Sequence, residues 1–488
     1  MQPPPSSPRP SVASVALSVL WTALIVAAPL VAAWVASSLA AHAGWSVRAA
    51  AASGLLVFPA LPLAWEAFAA WRRARRKLPT KRFLTLTDRL VLRTLAVSVA
   101  FVGALLASDP QRAFVALNSR GDWMLDGRHD ARAESVRRGL FWTAAKFQWL
   151  YRVSDDNPFH DGRSARPRPI PPRDVTVVVP PTTDATPTPP PPPPPPPPRD
   201  PHAWPWDDAL HPAVVALPAS VETSPESVGR YLATQEHDPW KLARAVHDYV
   251  ADRVAYDVPS YRAGVYPPQD ALTTFRTRLS VCAGYAALFE AIGRAAGLTV
   301  ETVVGRARGM SAEGMGEGHA WSAVQLDGQW HLVDTTWDAG YVSADGFHKR
   351  YGTRYFLTPP EVFLTKHYPD EARWQLLATP RTPGEYLRMP SLDPSFFAYG
   401  LRLVSPDRAE SDAHGEVVVT VDNPRGVSLM ASVRPQGAAS TPCRVTDGAV
   451  VTARCPLTGG DLHDVVLFAA EQRFTTHWSV GTLKVHNR

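Results

Sequence analysis

Three apolar runs occupy the first part of the chain. Val15–Leu39 carries no charge over 25 residues, enough to cross a bilayer as one helix. A second run lies at about Ala49–Trp65 and a third at Leu90–Ser108. Pro59 and Pro62 interrupt the second, and Arg93 sits near one end of the third, where a long side chain can snorkel to the headgroups. Further on, Ala133, Val136, Leu140, Ala144, Phe147 and Tyr151 recur at helical spacing, with Arg132, Arg137, Arg138 and Lys146 around the other side. That pattern predicts one amphipathic helix. We expect it to pack on the spans, the alternatives being the outer membrane surface or a docked catalytic domain.

The middle of the chain alternates differently. Ser280 is placed to N-cap a helix whose Tyr285, Leu288, Phe289, Ile292 and Ala296 share one face, with Gly297 as its stop. Then His319–Leu326 and Gln329–Thr336 read as two strands joined by Asp327-Gly328, a strong signal for a tight hairpin. From Phe397 onward, short strand-like runs are separated by turn residues: Gly415–Val421, Val427–Val433, Ala449–Arg454, Asp464–Ala469 and Trp478–Val485. They predict an all-β sandwich of the immunoglobulin kind.

Charge and composition add three points. The formal net charge of +5 on 488 residues comes without a basic patch interleaved with aromatics, so no nucleic-acid partner is expected. Arg72, Arg73, Arg75, Arg76, Lys77, Lys81, Arg82 and Arg89 crowd the loop between the second and third spans. That excess marks the loop as cytoplasmic, which puts everything after Ser108 outside. A signal peptide ending at Ala41-His-Ala43 is the rival reading of the first span, but its apolar core is too long for one. Finally, 49 prolines exceed what one compact fold takes, and ten of them run in succession at Pro189–Pro198. Such a run forms a polyproline strut of about 30 Å. We read Arg163 to about Pro205 as a spacer, the alternative being a ligand for a proline-reading module.

The candidate chemistry lies in the middle. Cys282 falls in the first turn of its helix, where free N–H groups and the helix dipole favour an anionic sulfur. In a two-residue hairpin Leu326 faces Gln329, so Trp321 falls opposite Asp334 and His319 opposite Thr336. All four then share one face. His319 and Asp334 become diagonal neighbours, roughly 7–8 Å apart at their backbones, a gap their side chains bridge. Taken singly, these are a core cysteine, a structural histidine and a strand-end aspartate. Together, Cys282, His319 and Asp334 are a nucleophile, its base and the base's orienter. Trp321 and Trp337 are candidates to line an acyl cleft, with core packing as the alternative. Cys443 and Cys455 flank one strand, and in an oxidising compartment they pair, which leaves Cys282 free. Three cysteines and no close histidine pair argue against a structural zinc site.

The stretch from Leu279 to Trp337 resembles the core of the transglutaminase-like superfamily, the papain-like group that includes transglutaminases, peptide N-glycanases and many bacterial cysteine-peptidase-like proteins. The resemblance extends upstream through Lys241–Asp257 and downstream through Tyr355-Phe-Leu-Thr-Pro-Pro-Glu and His367-Tyr-Pro-Asp-Glu-Ala-Arg-Trp. The last portion looks most like the kyphoscoliosis-peptidase branch. One departure is Ser280, where family members commonly have glycine.

These readings imply a multi-domain protein. Residues 1–110 are a membrane domain with about three transmembrane helices, and 111–162 a membrane-proximal helical segment. Residues 163–205 are a proline-rich linker, 206–395 an α+β, papain-like catalytic domain, and 396–488 the β-sandwich. The resemblance implies acyl transfer through a thioester on Cys282 and no cofactor. It also implies an oxyanion hole made of the Cys282 backbone N–H and a side chain from the preceding segment. The partners expected are a protein or peptide substrate and the lipid bilayer. A multi-pass protein of the cell membrane with its catalytic and C-terminal domains on the extracytoplasmic side follows. Hydrolysis is the first reading of the second half-reaction; cross-linking transamidation and a silent peptide-binding module are the alternatives.

Overall fold

The computed structural model describes residues 12–77, 83–128, 130–153, 157–159, 203–309, 314–435 and 437–488. The proline-rich linker lies outside them except for its last residues, as do Lys81 and Arg82 of the basic loop. The chain forms one compact unit within residues 1–155 and another within 156–487.

In the first unit, three helical segments are long and apolar enough to span a membrane: Trp21–His42 within the helix Val12–His42, Val47–Arg75, and Leu86–Ser108. The second is broken where Phe58, just before Pro59, leaves helical geometry (φ −148°, ψ 123°). A proline ring there blocks the helical hydrogen-bond ladder. Arg93 does not reach for the headgroups alone. With Arg89 it pairs with Glu66 on the preceding helix, one carboxylate set between two guanidinium groups. The amphipathic stretch after the spans is two helices, Ala131–Ala145 and Gln148–Val153, not one. Its inward face also differs from the apolar count. Val136 is exposed, whereas Arg137 is buried because its guanidinium meets the Asp122 carboxylate at 2.7 Å. A buried ion pair overrode the apolar spacing.

In the second unit, a five-stranded sheet carries the central machinery. We number its strands β1 (Thr299–Ala307), β2 (Glu317–Leu326), β3 (Gln329–Val333), β4 (Phe356–Thr358) and β5 (His367–Pro369). Their spatial order is β4-β3-β2-β1-β5. The helix Cys282–Ala295 packs on this sheet through Tyr285, Leu288, Phe289 and Ile292, all fully buried. The helix Pro239–Arg253 shares that apolar core. The β2–β3 hairpin turns at Asp327 (φ +49°) and Gly328 (φ +78°), with Leu326 paired to Gln329. Two positive φ angles in succession are what an Asp-Gly hairpin supplies. The ladder stops at Ser322–Val333, because Asp334 turns away to cap a short helix, Thr335–Ala339. Thr336 therefore sits in that helix rather than opposite His319.

Downstream, two sheets share one apolar core. One contains Arg402–Ser405, Glu416–Asp422, Arg444–Val445 and Val450–Pro456; the other includes Ser428–Pro435, Leu462–Ala470 and Trp478–Asn487. The pair Ser391–Leu392 adds an edge to the second sheet, so this β region begins before residue 396. Glu410–Ala413 runs parallel to the last strand, a departure from a purely antiparallel sandwich. Cys443 and Cys455 are joined as a disulfide.

Candidate active site

Three elements converge on one point. Cys282 is the first residue of its helix. The residue before it, Val281, takes the N-cap position without a side-chain bond. Ser280 does not cap the helix, because its backbone is engaged in a parallel pair with Tyr256. Its hydroxyl donates instead to Gln269 Oε1 at 2.6 Å, and the Val281 N–H donates to the same oxygen at 3.1 Å. The space this serine needs is left by Gly284. A Cβ there would lie 1.9 Å from Ser280 Oγ and 2.3 Å from Thr274 Oγ1.

His319 lies on β2 opposite Gly305 of β1, and His367 on β5 lies opposite Ala307. Gly305 and Ala307 are two residues apart, hence on one face. The two imidazoles therefore meet across β1, with ring centroids 5.4 Å apart. Trp321, opposite Val303, packs against both, at 6.0 Å from the His319 ring and 5.2 Å from the His367 ring. A side chain at Gly305 would collide with Trp321 Cη2 at 2.6 Å.

Asp334 ties these groups together. Its Oδ1 accepts the N–H groups of Thr336 (2.9 Å) and Trp337 (3.2 Å). Its Oδ2 takes Nε2 of His319 at 2.8 Å and Nε2 of His367 at 2.9 Å. Four donors thus hold one fully buried carboxylate. With Nε2 of His319 so engaged, Nδ1 is the nitrogen left for the Cys282 sulfur, whose charge acts on the ring. Cys282 is 1% exposed and His319 6%.

The electrostatics follow from this contact set. Burial alone would lower the His319 pKa, but the Asp334 and Cys282 charges and their hydrogen bonds outweigh it and raise it to about 10. Burial would raise Asp334, yet the two imidazoles hold it well below the usual carboxylate range. His367 goes the other way. Burial, helped by the neighbouring His319 and Lys366 charges, brings it down to about 4 despite Asp334. His367 is thus neutral near pH 7 and donates Nε2–H to Asp334, while its buried Nδ1 has no hydrogen-bond partner among the described residues.

Three half-buried phenols, Tyr256, Tyr261 and Tyr266, feel the charge of a Cys282 thiolate. Burial first, then the charge of a Cys282 thiolate, raises the Tyr256 and Tyr266 phenols, the latter to about 12. Tyr261 is bonded to Glu317. Of the two tryptophans proposed for the cleft, Trp321 is buried to 1% exposure, whereas Trp337 keeps a part-exposed face against His319 (5.4 Å) and His367 (4.5 Å).

Two groups escaped the sequence reading. His367 was legible only within a stretch that resembles relatives, because β5 reaches β1 from 60 residues downstream. The second is a buried chain behind the site, in which His247 bridges Asp248 (2.9 Å) and Asp338 (3.1 Å). Asp338 also accepts the Tyr355 N–H, fastening the short helix that Asp334 caps.

His319, Asp334 and His367 also form a donor set of the kind a divalent transition metal takes, with one ligand atom from each within 4.8 Å of the others. The close histidine pair that the spacing along the chain does not reveal is made by the sheet. Its geometry is accounted for by the two hydrogen bonds to Asp334 Oδ2.

Parts of the chain match known proteins. Residues 226–335 match the transglutaminase-like superfamily. Mouse kyphoscoliosis peptidase is 30% identical over 248 residues, covering 46% of this chain and 37% of that protein. Drosophila melanogaster hillarin is 31% identical over 116 residues, 21% of this chain and 13% of its own length. The chain thus spans little more than a third of the first relative and less of the second. A solved transglutaminase covers 28% of this chain and 36% of its own at 19% identity, with a TM-score of 0.21. Residues 226–335, which end one position past Asp334, are a transglutaminase-like superfamily domain.

Proposed function

We propose that the chain is a membrane-anchored, extracytoplasmic cysteine enzyme that forms a thioester from a protein or peptide amide and hydrolyses it. The observation that carries this reading is His319 Nε2 held by Asp334 at 2.8 Å while the charge of Cys282, at the tip of its helix, acts on the same ring. Cys282 attacks the amide carbonyl as a thiolate paired with protonated His319. The C–N bond breaks as His319 gives its proton to the leaving amine. Neutral His319 then takes a proton from water, the hydroxide oxygen adds to the thioester carbon, and the acid leaves as the sulfur regains its charge. Asp334 holds the imidazole's tautomer throughout and stabilises its charged form.

The developing oxyanion is held by the Cys282 backbone N–H at the helix tip and, in this proposal, by the Tyr256 phenol. Tyr256 pairs with Ser280, two residues before Cys282, and burial and the Cys282 charge keep its phenol protonated. Trp337 lines the acyl cleft, with Trp321 supporting the rings from behind. For sidedness, the basic cluster ending the second span favours a cytoplasmic loop, and a disulfide downstream favours an oxidising compartment.

The test is to incubate the full chain in detergent with a glutamine-containing peptide and a labelled primary amine. Cleavage or ammonia release without incorporation supports hydrolysis. Incorporation makes it a transamidase, and neither product supports a peptide-binding module. In parallel, a cysteine-directed electrophile should modify Cys282, and His319→Gln should slow it.

A further inference from the structure

The space beside Cys282 is already occupied, by residues 157–159 of the same chain. Phe159 packs on the small apolar cluster of Cys282, Ala286 and Ala320. Its ring also lies 5.7 Å from that of Tyr266. Asn157, 6% exposed, donates from Nδ2 to the Gly305 carbonyl (2.7 Å) and to Asp370 Oδ2 (3.3 Å). Its Oδ1 accepts the Phe159 N–H at 3.2 Å, a turn that aims the aromatic ring at the sulfur's surroundings. The seat is shaped for this segment. A Cβ on Gly318 would lie 2.7 Å from Asn157 Oδ1 and 2.8 Å from Pro158 Cδ, so a side chain there would push the segment off.

Each part of the seat specifies a chemistry. Two acceptor oxygens, from Gly305 and Asp370, call for an N–H donor and reject a carboxylate. The flat approach over Gly318 suits a proline ring, and the methyl groups of Ala286 and Ala320 with the Tyr266 ring suit an aromatic side chain. We propose that this groove, between Gly305, Gly318, Tyr266 and Ala320, is a peptide-binding subsite for an asparagine-proline-aromatic segment, and that residues 157–159 fill it in competition with substrate. This rests on Cys282 being the nucleophile. The near-complete cover of its sulfur is then a held-off state rather than a packing accident. The segment leads directly into the proline-rich stretch, so whatever draws that stretch away would empty the groove.

The experiment follows alkylation of Cys282 by iodoacetamide in the full-length protein in detergent. Asn157→Asp replaces an amide donor by a third acceptor facing Gly305 O and Asp370, which should release the segment and speed labelling about tenfold. A synthetic peptide of residues 156–160, Asp-Asn-Pro-Phe-His, should slow the variant back towards the wild-type rate. The same peptide with its asparagine changed to aspartate should not. Equal rates for wild type and variant, or no protection by the peptide, overturn the proposal. If Asn157→Asp lowers the unfolding midpoint below use, Phe159→Ala, which removes a part-exposed ring, makes the same comparison. His319→Gln separates the two readings. If it leaves labelling unchanged, the nucleophile assignment fails whatever the segment does; if it slows labelling while Asn157→Asp has no effect, only the subsite fails.

Discussion

His319 and His367 share one oxygen of Asp334, each bringing Nε2 within 2.9 Å of it from strands on opposite sides of β1. The two rings are driven in opposite directions by that oxygen and by each other. His319 keeps its proton to about pH 10, and His367 loses its own at about pH 4. A neutral donor beside a charged one anchors the carboxylate without competing for its charge. His367 is therefore a positioning residue. His367→Ala should lower kcat about ten- to hundredfold, the cost of leaving a buried carboxylate one donor short. KM should hardly move. His367→Gln, which keeps an N–H, should recover part of the loss, and steady-state kinetics on an amide substrate check both.

The same pair sets the pH response. Between about pH 4 and the ordinary histidine range near 6.5, the unfolded chain binds a proton at residue 367 that the folded chain refuses. Taken alone, that site makes stability rise with pH across the window. Asp338, raised to about 6 by burial, opposes it with a slope of the same size up to about pH 6, so the His367 contribution is the difference between wild type and variant. Between about 6.5 and 10 the folded chain holds a proton on His319 that the unfolded chain lacks. The stability from that site is full below 6.5 and is lost as pH climbs through 10. Amide turnover should fall on the same alkaline limb, since the leaving amine no longer receives a proton. Urea unfolding of wild type and His367→Gln at a series of pH values should show the acid slope shrink in the variant.

Gly284 and Ser280 form a matched pair. Gly284→Ala puts a methyl group 1.9 Å from Ser280 Oγ, which cannot stand without movement at the helix start. We expect a loss of about 2 kcal/mol, within the range for overpacking. Adding Ser280→Gly should recover part of it and no more, because Thr274 Oγ1 still lies 2.3 Å away. Thermal unfolding of the two single variants and the double variant measures this coupling.

Thiol counting tests the β region. Cys443 and Cys455 close a loop with a sequence separation of 12, and a cross-link of that span stabilises by about 3 kcal/mol in the chain-entropy account. Denatured but unreduced protein should titrate one thiol per chain, Cys282, and reduced protein three. Cys443→Ser with Cys455→Ser should lower the unfolding midpoint while leaving Cys282 alkylation unchanged.

What was legible from the residues was local. Asp327-Gly328 dictated its own turn and with it the β2–β3 register, and the apolar face of the Cys282 helix is buried as its spacing predicts. Where distant chain competes for a local group, the reading fails. Ser280 has the chemistry of a helix cap, but Gln269 and the strand at Tyr256 claim it first. Asp334 looks like the continuation of a strand, yet its oxygens satisfy the N–H groups of the next turn and end the ladder. Arg137 reads as a surface charge until Asp122, 15 residues earlier, draws it in. His367 and Asn157 depend wholly on which strands lie beside β1, and no spacing along the chain announces that.

Tyr256 offers the last prediction, and it separates two roles that a simple loss of activity would confuse. Removing only its hydroxyl, as Tyr256→Phe, keeps the ring that packs against Tyr261 and Tyr285. If the phenol donates to the oxyanion, amide turnover should fall about hundredfold or more, as for other lost oxyanion donors, with KM little changed. Alkylation of Cys282 by iodoacetamide builds no negative charge on a carbonyl oxygen, since the sulfur displaces iodide from carbon. That rate should stay within about twofold of wild type. Both rates falling together would instead mean that Tyr256 acts on the sulfur, by holding its charge or its position. The oxyanion donor would then have to come from elsewhere around the helix tip, with Tyr266, whose phenol also feels the Cys282 charge, the next to substitute.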